Sequence, residues 1–137
     1  MAGRYAPVFV HLIWTTKNRE HWITPDVHDS LLQFFKQTSQ NLDCTLIAFG
    51  SMPDHVHLLL QLGGTKHSIG EVVQRLKGGS AHRITHEIQL DPYFKWQRGY
   101  SVFSVNPADT EVVKAYILNQ RKHHSAGTLR DEWENTE

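Results

Sequence analysis

A chain of 137 residues fits one domain and is long enough to bury a core without disulfide staples. Fourteen lysines and arginines balance fourteen aspartates and glutamates, so the overall charge lacks the basic excess usual in a general nucleic-acid binder. A single cysteine, Cys44, excludes an internal disulfide; no run reaches the ~20 apolar residues of a membrane span, and residues 1–20 hold no long apolar stretch, so the expected location is the cytoplasm, with no membrane partner. The charges are unevenly spread: Lys17, Arg19, Arg75, Lys77, Arg83, Lys95 and Arg98 lie in the body, whereas Asp131, Glu132, Glu134 and Glu137 crowd the end. The expected organisation is one domain over residues 1–137, with a short polar tail after about residue 125.

Val8 to Thr16 is rich in β-branched and aromatic residues and then breaks at Lys17-Asn18-Arg19, which reads as a strand running into a polar loop. Thr24-Pro25-Asp26 offers an N-cap threonine with proline at the first helical position, and Val27, Leu31, Phe34, Phe35 and Leu42 follow at helical spacing. Cys44 to Gly50 and Val56 to Leu62 are apolar runs separated by Ser51-Met52-Pro53-Asp54, so they pair most simply as an antiparallel hairpin. Ser68 with Glu71 predicts a capped helix carrying Ile69, Val72, Val73 and Leu76, in which Gly78-Gly79 either kinks the axis or loosens the backbone near a ligand. After the irregular stretch from Leu90 to Gly99, Tyr100 to Val105 reads as a fourth strand, and Asn106-Pro107-Ala108-Asp109 opens a last helix carrying Val112, Val113, Tyr116 and Ile117. The order β-α-β-β-α-β-α implies an α+β fold: a ferredoxin-like split βαβ plus a terminal helix, an antiparallel sheet with helices on one face.

Two spacings carry chemistry. His55 and His57 flank Val56 on a strand, so both imidazoles point to one side, where they can hold a divalent cation and leave positions open for phosphate oxygens; an isolated pair of this kind also serves as a strand cap. Tyr116 and Gln120 stand four apart on a helix and look the same way, though a tyrosine there is by default a core aromatic and the glutamine solvated. Ten histidines are many for this length, and counting them nominates no site; His123 and His124 suit a helix C-terminus as protonated residues and are left outside it.

Taken together, four segments resemble the IS200/IS605-like branch of the single-tyrosine transposases in the HUH superfamily. They are His11-Leu12-Ile13-Trp14-Thr15-Thr16-Lys17-Asn18-Arg19, Met52-Pro53-Asp54-His55-Val56-His57-Leu58-Leu59, Trp96 to Val105 and Tyr116-Ile117-Leu118-Asn119-Gln120, and the likeness spans roughly residues 5–125. The resemblance implies His55, His57 and Gln120 as ligands of a divalent metal, Mg2+ or Mn2+, and Tyr116 as the nucleophile. It also implies a hairpin-containing single-stranded DNA substrate, a 5′-phosphotyrosine intermediate and a homodimer whose tyrosine helix acts in cis or in trans. Lys17, Asn18, Arg19, Arg75, Lys77, Arg83 and Arg98 are the expected DNA-backbone contacts, with Trp14 or Trp96 as stacking platforms; a solvated face for the charges and a core place for Trp14 are the alternatives. A catalytically idle hairpin-binding descendant and a metal phosphodiesterase using water are the competing functions.

Overall fold

The computed structural model describes residues 8–119 apart from Thr65. Four strands, β1 (Val8–Thr15), β2 (Cys44–Met52), β3 (His55–Leu62) and β4 (Ser101–Val105), form one antiparallel sheet in the order β2-β3-β1-β4. Three helices accompany them: α1 (Pro25–Asn41), α2 (Ile69–His82) and α3 (Thr110–Leu118). This is the expected split βαβ arrangement, with β1 and β3 paired at the centre of the sheet.

Local chemistry set the helix starts where the sequence places them. The Thr24 side chain accepts from the Val27 N–H with Pro25 at the first helical position, and Ser68 accepts from the Glu71 N–H. Asn106 likewise accepts from the Ala108 N–H, but the turn it opens is a short 3-10 segment, Pro107–Asp109, that runs on into α3. The β2-β3 turn is tighter than the composition suggested, because β2 runs through to Met52 and leaves Pro53-Asp54 to reverse the chain. Gly78-Gly79 neither kinks nor loosens α2; it continues past both and ends in a wider turn, Arg83–Glu87.

Strand alternation divides the core in two. Val10, Leu12 and Trp14 of β1 and Val56, Leu58 and Leu60 of β3 point to one face, where α1 adds Val27, Leu31 and Phe35 and α2 adds Val72, Val73 and Leu76. The opposite face carries Ile13 and Leu59, and Ala48 enters there just past a register shift in β2 between Leu46 and Ala48. On this second face Val113, Tyr116 and Ile117 of α3 close the smaller cluster. Thus α1 and α2 share one face as expected, while the terminal helix crosses to the other, the side to which His55 and His57 point. No helix among the described residues is long and apolar enough to cross a membrane.

Candidate active site

Because Ile13 pairs with His57 and Thr15 with His55, the odd-numbered side chains of β1 and β3 share the face that α3 covers. The two imidazoles stand with ring centroids 5.3 Å apart, and His55 and His57 are both buried. Tyr116 is only 5% exposed, with its ring centroid 6.1 Å from that of His57 in an edge-on arrangement. One chain therefore brings the two histidines and the tyrosine together. Gln120, the expected third ligand, lies outside the described residues, as do His123 and His124.

Each histidine has a partner at Nδ1. His55 Nδ1 donates to Asp54 Oδ1 at 2.6 Å, and His57 Nδ1 lies 2.9 Å from His11 Nε2. Arg19 braces the first of these, its Nε donating to Asp54 Oδ2 at 3.0 Å and its Nη2 lying 3.4 Å from His55 Nδ1. Burial pushes the Asp54 carboxyl up, but the hydrogen bonds from His55 and Arg19, with the Arg19 charge behind them, outweigh it and hold the group well below the usual carboxylate range. An ionised carboxylate on Nδ1 keeps the proton there, which puts the lone pair of His55 on Nε2.

The reach of Arg19 depends on an unusual turn. Asn18 and Arg19 take φ of 56° and 54°, left-handed values that L side chains adopt at a cost of about 1–3 kcal/mol each. The surroundings hold the turn: Thr16 Oγ1 donates to the Glu20 carbonyl at 2.6 Å, and the Asn18 N–H donates to Gln97 Oε1 at 3.1 Å. Residues 95–97 run beside the end of β1, with the Gln97 N–H on the Thr15 carbonyl, the Lys17 N–H on the Lys95 carbonyl and a bridge between Thr16 and Trp96. Gly99, at φ 89°, lets the chain turn out of this pairing and rejoin β1 as β4. An open cleft of about 380 Å³ lies between Thr15, Asn18, Arg19 and Gln97, beside the strand position of His55.

The expected DNA-backbone contacts fall into different environments. Lys17, Asn18, Arg75 and Arg98 are exposed, and Arg19 is half-buried against Asp54. Lys77 turns its ammonium onto the carbonyls of Gln97 and Gly99, at 2.7 Å each, and its burial pushes the amine below the usual lysine range. Arg83 reaches Glu87 at 3.7 Å, and its Nε is buried with no hydrogen-bond partner. Trp14 is a core residue, 1% exposed and edge-on to Phe35 and Trp96; Trp96 is half-buried and donates its Nε1 to Ser80 Oγ. Neither indole lies open as a stacking platform.

The donor set fits a divalent cation: two neighbouring buried imidazoles, each with Nδ1 engaged, on a face shared with a phenol. Among the described residues no group of three or more His, Cys, Asp and Glu converges to hold a metal; Asp54 and His11 contact the Nδ1 atoms of the pair. The sequence reading singles out neither residue. The signal was faint: His11 is a polar residue inside the apolar run Val8 to Ile13, and Asp54 directly precedes the first ligand candidate.

Residues 5–120 match the family of IS200-like transposases. The chain belongs to that family. It is 30% identical over 118 residues to the ISDra2 transposase TnpA of Deinococcus radiodurans, an alignment covering 80% of this chain and 81% of the relative. The crystal structure of a protein from Deinococcus radiodurans R1 assigned as a transposase superposes with a TM-score of 0.68 at 31% identity, covering 88% of this chain and 95% of the other. A REP-associated tyrosine transposase, solved bound to a REP hairpin, shares the fold at 14% identity with a TM-score of 0.67, covering 90% of this chain and 74% of its own. The chain is thus a single-tyrosine transposase of the IS200/IS605 kind, one of a family of DNA-processing enzymes.

Proposed function

We propose that this transposase cuts and rejoins single-stranded DNA at hairpin-marked element ends through a 5′-phosphotyrosine on Tyr116, as a homodimer, with His55, His57 and Gln120 holding Mg2+ or Mn2+. The observation that carries the reading is the placement of Tyr116 beside the buried His55–His57 pair on one face of one sheet. A divalent cation held by these residues would neutralise charge on the scissile phosphate and so help a phenol of ordinary pKa near ~10 to act as a nucleophile.

Tyr116 supplies the reacting oxygen. Its phenolic proton is lost as a bond forms from oxygen to phosphorus; the bond from phosphorus to the 3′-oxygen of the preceding nucleotide breaks, and that oxygen takes its electron pair and a proton to become a free 3′-hydroxyl. Rejoining is the reverse step with a different end: a 3′-hydroxyl attacks the phosphotyrosine and Tyr116 leaves, so no ATP is consumed. Tyr116 is 5% exposed, so little of the residue is open to solvent while α3 lies on the sheet. The cleft between Arg19 and Gln97 offers a DNA backbone a place beside Thr15, the strand partner of His55, with Asn18 and Arg19 lining it, Lys17 next to them in the chain, and Arg75, Arg83 and Arg98 as outer contacts. The REP hairpin carried by the structural neighbour of the same fold supports a hairpin as the recognised element.

The test is incubation with single-stranded oligonucleotides bearing hairpins, with Mg2+, Mn2+ or chelator, resolved on a denaturing protein gel. Tyr116→Phe is expected to abolish a metal-dependent covalent adduct while leaving hairpin binding largely intact. An adduct that survives the substitution removes Tyr116 as nucleophile. Free 5′-phosphate ends without trapped protein indicate hydrolysis by water, and hairpin binding without metal-dependent cleavage indicates an idle descendant.

A further inference from the structure

On β1, behind His57, stands a third buried imidazole that neither the ligand set nor the nucleophile uses. His11 is 0% exposed; its ring centroid lies 5.1 Å from that of His57 on β3 and 6.2 Å from that of Phe103 on β4, so its ring sits between side chains of the two strands that flank β1. Its Nε2 lies 2.9 Å from His57 Nδ1, a distance that requires a proton between the two nitrogens. A neutral imidazole carries one N–H, so two arrangements are available. If His11 Nε2–H donates, His57 must carry its own proton on Nε2 and has no lone pair there. If His57 Nδ1–H donates, its lone pair stands on Nε2, and His11 keeps its proton on Nδ1.

We infer that His11 is a positioning residue for His57, accepting the His57 Nδ1–H at its Nε2 and so holding that ring in the tautomer and orientation that bind a metal through Nε2. The inference rests on the metal-site reading above and deepens it. Burying an imidazole beside Phe9 and Ile13 on an apolar face costs about 1–3 kcal/mol unless it is hydrogen-bonded, and a leucine at the same place carries no such penalty. The choice of acceptor also follows burial. His55 is held by a charged carboxylate whose side chain is 19% exposed and paired with Arg19, whereas the acceptor position beside His57 is filled by His11 at 0% exposure, where an ionised group meets a larger desolvation penalty. A neutral histidine supplies the same lone pair without burying a charge. Because Nδ1 and Nε2 are distinct ring positions, His11 at Nδ1 would leave Nε2 free to hold a cation and would act on it only through His57.

Two measurements on the full chain test this. In metal-free wild-type protein, 15N NMR of the imidazoles is expected to show His57 protonated on Nδ1. Titration with Mn2+ by calorimetry is expected to show His11→Leu weaker than wild type by on the order of 10–100-fold, with His11→Gln, whose amide oxygen reaches the place of Nε2, recovering most of that loss. Thermal melts run alongside separate this from unfolding, and the wild-type tautomer decides the matter if His11→Leu does not fold. His57 found with its proton on Nε2, or a folded His11→Leu that binds Mn2+ as tightly as wild type, overturns the inference alone. Wild-type protein that binds no Mn2+ overturns the metal reading and the inference with it.

Discussion

Lys77 shows how far a residue's role depends on what the chain brings to it. Its place on α2, between the buried Leu76 and the exposed Gly78, reads as a solvated cation able to meet a phosphate. In the fold its ammonium instead joins the Gln97 and Gly99 carbonyls, the two that bracket Arg98 in the loop returning to β4. Lysine suits this work because one ammonium carries three donors on a flexible stem. Lys77→Met keeps the stem and removes the donors, leaving two carbonyls to find water or stay unsatisfied, at about 1–3 kcal/mol. The expected result is a lower melting temperature together with faster proteolysis near Arg98, both measured without DNA. An unchanged melt and digest would return Lys77 to the role of a phosphate contact alone.

At the scale of elements, the features legible in the sequence are those decided within a few residues. Thr24, Ser68 and Asn106 cap where composition says, because a cap is a contact between a side chain and an N–H two or three positions on. Gly78 and Gly79 are the counterexample, since their meaning lies on another helix. A Cβ on Gly79 would come within 2.4 Å of Phe34 Cζ on α1, so Gly79 marks where the two helices press together, while a Cβ on Gly78 meets nothing within 4 Å. Alanine at either position gains about 0.5–1 kcal/mol of helix propensity. Gly78→Ala is therefore expected to raise the unfolding free energy by about that amount. Gly79→Ala must also displace the half-buried Phe34 ring, and is expected to fall below Gly78→Ala by at least about 1 kcal/mol. Chemical denaturation of both variants, repeated in a Phe34→Leu background, checks the cause. If the gap between the two alanines persists once the ring is gone, Phe34 is not its source.

For the whole molecule, strand alternation and element order were enough to place His55 and His57 on one side of a split βαβ sheet, but not to say what covers that side. The apolar stripe of the last helix, Val113, Tyr116 and Ile117, fits either face, and the choice is made by the sheet. One side of β1 and β3 is already filled by α1 and α2, which leaves Ile13, Leu59 and the histidines for α3. The contact of His11 with His57 is illegible for the same reason, because it is set by the register between β1 and β3. This division predicts two levels of stability. α3 lies across β2 and β3 on a small cluster, whereas the sheet is held from its other face by a much larger one. Ile117, 0% exposed, anchors the small cluster, and Ile117→Ala is expected to remove about 2–4 kcal/mol of packing there. If α3 detaches as its own unit, hydrogen exchange will show Thr110–Leu118 amides losing protection while those of β1 and β3 keep theirs, with less of the Tyr116 adduct formed. Equal loss of protection in helix and sheet would mean that both faces unfold together.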